Sequence, residues 1–590
     1  MDHAVLATYS AELSVTVAAL LALSGCDLDN RRTGSRIELV RAIEMLGSRV
    51  RVLIHPNRIA LPRVPRAILA LLDRIVRDVQ LKKEDVSWHP KIALVRLISA
   101  TQADAAAAQW RLWIGSRNLT KAMNWEAGIA LTSSLAKGGQ RVEGIAELGA
   151  ELARRAEIPG FESERVFAEL RDCLWDAPSG TKVNSIRLSG DGIATPLVPE
   201  FKDAERVVLV SPFLDATTVQ RIGAWGGASA RRALVSITPE LQKLHRHRDE
   251  PLLGFGQRLW CGIPDLPAQG AEPWMEDAPG EAAEPLADEE IPPAGLHAKL
   301  LYAAKGSKRR LWIGSANATE RAWAGRNVEV VAELEISREA ADALEAFVAG
   351  SQEFTPTADA PDEDPDDEIL DDARNLLAFA WHPHQTGSTE APQINGAPPL
   401  QLHKLAVKLE VAGLGQSWQM WEHGAETVLL PAMKAWQQTD LIQVRLTRGA
   451  RVCGWVQFAR WEPRLDRAKR DRALIAEYLD ARSLLLWLRS MLNDVPPNAD
   501  EFDWDGDPSR RKKATPGVSG IQSIDGAMPT VEEILRAWAR SPEAFEAADR
   551  KMAEYCTELE QRARRNGSES DAKLLADFAV TWEMIGKGLR

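Results

Sequence analysis

Cysteine is scarce in this chain, and the few residues present form no pattern. Cys26, Cys173, Cys261, Cys453 and Cys556 lie far apart, are odd in number and include no C-x-x-C pair. That spacing argues against a disulfide framework or a zinc site and points to a reducing compartment. Long apolar runs are missing as well, since no stretch approaches the length needed to cross a bilayer. The segment ending Leu23-Ser24-Gly25-Cys26 mimics a lipoprotein cleavage site. No Lys or Arg precedes it, however, and Asp2 and Glu12 are acidic where a signal peptide needs a positive start. It reads instead as a strand from Val5 to Ser10 and a helix to about Ser24. The expectation is a cytoplasmic protein with no membrane element.

Positive charge is in short supply overall, with a formal net charge of −12, so a uniformly basic surface is excluded. Its distribution is uneven. Residues 31–130 hold 18 Lys and Arg against 8 Asp and Glu, whereas 264–293 and 352–373 hold nine and ten acids and no base. A basic segment of this kind suits a polyanionic substrate, although a solvated Arg-rich helix face from Arg63 to Lys83 would give the same count.

One constellation appears twice, about 200 residues apart. The first copy is His89-Pro90-Lys91, Gly115-Ser116-Arg117-Asn118 and Glu126; the second is His297-Ala298-Lys299, Gly314-Ser315-Ala316-Asn317 and Glu329. In a strand, residues two apart project from one face, so each His and its Lys share a face. Each G-S-x-N ends an apolar strand, where Gly permits a tight turn and Ser and Asn offer hydrogen bonds. If the copies pack about a pseudo-twofold axis, two His, two Lys and two Asn meet in one pocket. Lys and Asn would hold the non-bridging oxygens of a phosphodiester, while one His attacks phosphorus and the other protonates the leaving oxygen. Glu126 and Glu329 are candidates to fix the imidazole tautomers, or else are solvated carboxylates. Ser116 and Ser315 contact substrate or simply form the turns. No metal or other cofactor is implied.

The duplicated H-x-K, G-S-x-N and E resembles the phospholipase D superfamily over roughly residues 1–350. That superfamily includes lipases, phosphatidyl transferases, endonucleases and tyrosyl-DNA phosphodiesterases. Its usual signature has an aspartate five residues after the lysine; here those positions are Arg96 and Ala304. Tyrosyl-DNA phosphodiesterases lack it too, which leaves catalysis intact and makes a typical phospholipase less expected. The resemblance implies His89 as nucleophile and His297 as general acid/base, and the near symmetry leaves the reverse open. It also implies a metal-independent phosphodiesterase acting through a phosphohistidine on nucleic acid, DNA foremost, in restriction, repair or antiviral defence. A helicase or methylase is the protein partner that analogy suggests. The alternatives are a phospholipase or phosphatidyl transferase, and a catalytically silent nucleic-acid-binding scaffold.

The expected fold is α/β, because strands and helices alternate in both copies. Two fused repeats, 1–180 and 181–350, would each carry a mixed sheet flanked by helices. Opening strands Ala4 to Ser10 and Val207 to Phe213 correspond, as do Arg51 to Pro56 and Ala233 to Pro239. Helices are expected at Ile37 to Met45, Val64 to Val79 and Thr217 to Ala224. The acidic stretch 264–293 would be a loop, either a flap that competes with substrate phosphates or a plain insertion. Residues 351–373 read as an acidic linker. A β-rich module (374–465, sandwich or barrel) would follow, with Leu376 to Trp381 as its first apolar run. A helical region (466–590) completes the chain, with helices Arg467 to Leu492, Pro529 to about Arg565 and Asp571 to Ile585 and a loose stretch 495–529. The ten tryptophans beyond residue 373 would be core or would stack bases.

Overall fold

The computed structural model describes residues 1–25, 36–83, 86–98, 108–134, 139–193, 198–261, 295–357, 365–493 and 528–589. The acidic stretch 264–293 and nearly all of 495–529 lie outside the described residues. The chain is α/β, and its first 350 residues form two sheets built to one plan. The first runs Val76–Asp78, Val50–Ile54, His3–Thr8, Ile92–Leu97, Gln109–Gly115, Gly128–Ser133 and Trp175–Asp176. The second runs Gln352–Glu353, Gln257–Trp260, Arg231–Ser236, Arg206–Val210, Leu300–Lys305, Lys308–Gly314, Glu329–Ile336 and Thr181–Ser189. The Val-rich strands Val50–Ile54 and Arg206–Val210 pair in parallel with His3–Thr8 and Arg231–Ser236 respectively and are buried along their whole length. Parallel strands are covered on both faces, which selects continuous apolar runs. Ile92–Leu97 pairs antiparallel and alternates buried with half-buried positions.

The expected helix from Val64 to Val79 is a 3₁₀ segment, Ala67–Arg74, followed by the strand Val76–Asp78. Pro65 disfavours a helical conformation at Val64, and Val76 instead pairs with Val52 at the sheet edge. The run Leu376 to Trp381 is not a strand either. It closes a helix, Pro365–Ala380, that begins inside the stretch read as linker and buries Leu370, Ala373 and Leu377 on one face. Asp366, Asp367 and Glu368 stand in its first turn, where carboxylates oppose the helix dipole favourably.

The β-rich module is two open sheets sharing one core, so of the two forms expected the closed barrel is ruled out among the described residues. One of its sheets is completed by Ile59–Ala60 from the first half, paired with Trp455 and Val456. The helix expected from Arg467 to Leu492 is two, Arg467–Tyr478 and Ala481–Asn493, and the next breaks at Ser541 into Val531–Arg540 and Pro542–Arg565. Pro542 has no N–H to give the preceding turn. Trp381, Trp421, Trp455, Trp461, Trp487 and Trp582 are buried, and Trp538 is exposed.

Two cores bind the parts together. One joins Leu13, Leu20, Ile43 and Leu72 of the first half to Leu484, Tyr555 and Trp582 of the tail. Another spans both halves, with Leu94 and Ile114 against Val210 and Val330. Within the first interface Asp73 is buried and accepts from Arg470 at 2.8 Å and from Thr439 at 2.9 Å. Removing one member of a buried ion pair strands the other charge, so Asp73→Ala should cost about 3–5 kcal/mol in urea unfolding. Asp73→Leu combined with Arg470→Leu should cost markedly less than that single change.

Candidate active site

Each copy of the motif is assembled at the end of its sheet by the same devices. Lys91 and Lys299 precede strands that pair with the opening strands, Ile92 opposite Ala7 and Leu300 opposite Val210. The glycine of each G-S-x-N is required by close approach. A Cβ at Gly115 would lie 2.6 Å from the Ala127 carbonyl oxygen, and one at Gly314 would lie 2.1 Å from that of Val330. Ser116 Oγ accepts from Ala127 N–H and Ser315 Oγ from Val330 N–H, each at 2.9 Å. Each hydroxyl donates to the carboxylate of its own copy, Ser116 to Glu126 and Ser315 to Glu329. The serines are therefore fully buried braces for the glutamates.

The glutamates in turn serve the opposite half. His89 Nδ1 lies 3.0 Å from Glu329 Oε2, and His297 Nδ1 lies 2.9 and 3.0 Å from the two oxygens of Glu126. Backbone pairing enforces the exchange. His89 N–H donates to Val328 O at 3.0 Å, Val328 N–H to Ser87 O at 2.8 Å, His297 N–H to Trp125 O at 2.9 Å and Trp125 N–H to Gly295 O at 2.7 Å. With Nδ1 held by a carboxylate, Nε2 is the nitrogen available for chemistry on both rings. Lys91 and Lys299 are buried, and each donates one hydrogen bond, at 2.8 Å, to the carbonyl of its own histidine. Each ammonium keeps two protons for an anion.

Of the eight residues expected to be catalytic, the two histidines, two lysines and two glutamates form one charge network, and the two asparagines end the adjoining G-S-x-N turns. Asn118 Oδ1 lies 3.3 Å from Thr8 Oγ1, and Asn317 Oδ1 is buried without a hydrogen-bond partner. Two residues escaped the sequence reading. Thr8 and Ser211 end the opening strands and brace the G-S-x-N turns, Thr8 Oγ1 accepting from Leu119 N–H at 3.3 Å and Ser211 Oγ from Ala318 N–H at 2.9 Å. Their signal was a hydroxyl at one offset in two matched strands. The missing aspartates have a simple explanation. Arg96 stands at the far end of its strand, where it forks onto Glu169 with two 2.8 Å bonds, and Ala304 lies in the same place in the second half.

Charge is crowded, and the two carboxylates differ. Burial pushes Glu329 up to about 8, against the pull of the Lys91 charge, the Ser315 hydroxyl and the Lys299 charge. Burial raises Glu126 as well, but hydrogen bonds from His297 and Ser116 and the charges of His297 and Lys299 outweigh it, and the net shift is downward. Burial and then the lysine charges hold His89 well below its ordinary value; burial and the Lys299 charge hold His297 down at about 3 despite Glu126. Burial lowers Lys299 to about 7, and burial with the Lys299 charge holds Lys91 well below its ordinary value. Among the described residues no three His, Cys, Asp or Glu side chains are grouped as metal ligands would be.

Two α/β halves that bring both His–Lys pairs into one cluster are the arrangement that the duplicated motif implied, and that motif resembles the phospholipase D superfamily; the exchange of glutamates between halves is added by the structure. No family model and no curated protein matches the chain. Among solved structures it is similar to yeast tyrosyl-DNA phosphodiesterase, at 11% identity over 57% of this chain and 83% of that one, with a TM-score of 0.32. It is similar also to a phosphatidylserine synthase from Haemophilus influenzae Rd KW20, at 10% identity over 64% and 90%, TM-score 0.30. A polyphosphate kinase from Porphyromonas gingivalis matches at 11% identity over 61% of this chain but 47% of its own, TM-score 0.28. The chemistry of the pocket rests on its own side chains.

The lysine values fix how an oxyanion should bind. An ammonium whose folded pKa is lowered to about 7 is charged below that pH and loses its charge above it. Tungstate, a dianion throughout, should therefore bind well at pH 6 and weaken about tenfold or more by pH 9, the worth of one charged hydrogen bond. Calorimetry checks this, and Lys299→Met should remove the tight binding at pH 6 and leave a smaller pH dependence from the ionisation of Glu329.

Proposed function

We propose that this protein is a phosphodiesterase that cleaves its substrate through a phosphohistidine, with nucleic acid, DNA foremost, as the substrate. The observation that carries the reading is the pair of histidines, each held at Nδ1 by the other half's glutamate, in one pocket with two buried lysines. His89 Nε2 attacks phosphorus while the bond to the leaving oxygen breaks and that oxygen takes the Nε2 proton of His297. Water then attacks the phosphorus, His297 takes its proton, and the P–N bond breaks to restore His89. Lys91, Lys299, Asn118 and Asn317 hold the non-bridging oxygens as charge builds on them. A neutral resting His89 is the form a nucleophile needs. His297 has to carry a proton, and the bound diester supplies it with a reason. Its anionic charge offsets that of Lys299, which together with burial keeps the ring neutral at rest.

Nucleic acid is favoured over lipid because residues 31–130, which carry the first His–Lys pair, are basic in an otherwise acidic chain. Purified protein should cleave single- or double-stranded DNA in excess EDTA, since the lysines supply the positive charge. A strict requirement for a divalent ion would contradict the mechanism, and cleavage of phosphatidylcholine alone would move the substrate to lipid. His89→Ala and His297→Ala should each abolish turnover of DNA. With bis(4-nitrophenyl) phosphate, whose leaving group needs little protonation, mass spectrometry should find a protein-phosphate adduct in His297→Ala and none in His89→Ala. The opposite result exchanges the two roles, and full activity in both variants ends the enzymatic reading.

A further inference from the structure

The catalytic set is duplicated, but its surroundings are not. In the first half Tyr9 follows Thr8, and its ring meets His89 edge-on with centroids 5.1 Å apart. His55 stacks on Tyr9 at 5.2 Å, and its Nδ1 accepts from the N–H of Trp88, the residue before His89, at 3.1 Å. The Arg58 guanidinium lies over the Tyr9 ring, 5.0 Å from its centre, and Lys91 Nζ lies 5.7 Å from it. Strand registers place Pro212 and Ile237 at the positions of Tyr9 and His55 in the second half, and Glu240 falls at the offset of Arg58. Among the described residues, those matching positions give His297 no such wall.

This wall is tied to the C-terminal part of the chain. Arg58 is buried and donates to Asp371 Oδ1 and Asn375 Oδ1, both at 3.0 Å, on the helix Pro365–Ala380. Asn375 also donates to Asp371 Oδ2 at 3.1 Å, so the two acceptors are themselves fixed. The neighbouring Arg374 grips the carbonyl of Asn57 through Nε at 2.8 Å and Nη2 at 2.6 Å. Asn57 turns the chain with a φ of 59°, and the residues after it, Ile59–Ala60, pair into the C-terminal sheet. The segment 55–60 is thus clamped at both ends by residues beyond 365.

We propose that Tyr9 is a positioning residue for His89, and that the helix Pro365–Ala380 completes the active site by holding Arg58 against it. A ring that makes a bond to phosphorus must keep its Nε2 on line, and the hydrogen bonds to Glu329 and to the Ser315 backbone act at its edge while leaving its tilt free. The Tyr9 edge removes that freedom, His55 and Arg58 keep Tyr9 in place, and the helix keeps Arg58 in place. This inference rests on the phosphodiesterase reading and goes beyond it, because it makes the C-terminal part a component of catalysis.

The test uses the full-length protein with bis(4-nitrophenyl) phosphate, and tungstate binding as the check on an intact anion site. Tyr9→Leu should lower kcat about tenfold with KM and tungstate affinity unchanged, the signature of a misplaced reacting group. Tyr9→Phe should restore kcat, since the contact is with the ring. Pro212→Ala, at the matching position, should turn over as the wild type does. Asp371→Ala combined with Asn375→Ala, outside the pocket, should lower kcat in the same direction without moving KM. Wild-type kcat in Tyr9→Leu overturns the inference and leaves the phosphodiesterase reading standing. So does a rise in KM or a loss of tungstate binding there, which would make Tyr9 a substrate contact or a structural residue. No turnover by the wild type overturns both.

Discussion

Two short backbone crossings hold the rest of the site in place. Trp88 pairs with Val328 and Trp125 with Leu296, so the chain that carries each histidine runs beside the chain that carries the other half's glutamate. The consequence is geometric: neither half contains a complete His–Glu pair. A buried imidazole without a partner at Nδ1 has no fixed tautomer, and a buried carboxylate without a donor carries the full cost of desolvation. The shared core between the halves, with Leu94 and Ile114 against Val210 and Val330, is what makes the crossings permanent.

Burial explains why the pocket needs both halves at once. Lys91, Lys299 and Glu329 are each about 1% exposed or less, and isolated charges that deep are strongly disfavoured. The cluster resolves this by bringing its acids and bases together and by moving their proton affinities toward one another. Glu329 rises to about 8 while Lys299 falls to about 7. A symmetric scaffold thereby carries an asymmetric site. The Glu126 carboxyl is held down and that of Glu329 pushed up, and His89 meets the ring of Tyr9.

Much of this was legible in the sequence, for identifiable reasons. A repeat leaves the same residues at the same offsets, so both H-x-K pairs, both G-S-x-N turns and both glutamates could be read directly, as could the matched opening strands. What could not be read was which glutamate serves which histidine, because that depends on a crossing between segments about 170 and 240 residues apart. Periodicity failed where tertiary pairing overrode it. Val76 joined a sheet edge, and Leu377 became the buried face of a helix that an acidic, linker-like stretch begins. The dependence of the first half on the C-terminal part was equally invisible. Arg58 and Asp371 are unremarkable residues 313 positions apart, and Ile59–Ala60 is too short to announce itself as a strand of another sheet.

Exchange of carboxylates between halves is the central claim, and histidine side-chain nitrogen chemical shifts report it most directly. With ¹⁵N-labelled histidine, resonances of His89 and His297 are assigned by loss in the corresponding Asn variants. Glu126→Gln should then shift the Nδ1 resonance of His297, 171 residues away in sequence, and leave that of His89 where it was. A shift confined to His89, the histidine of Glu126's own half, would contradict the account.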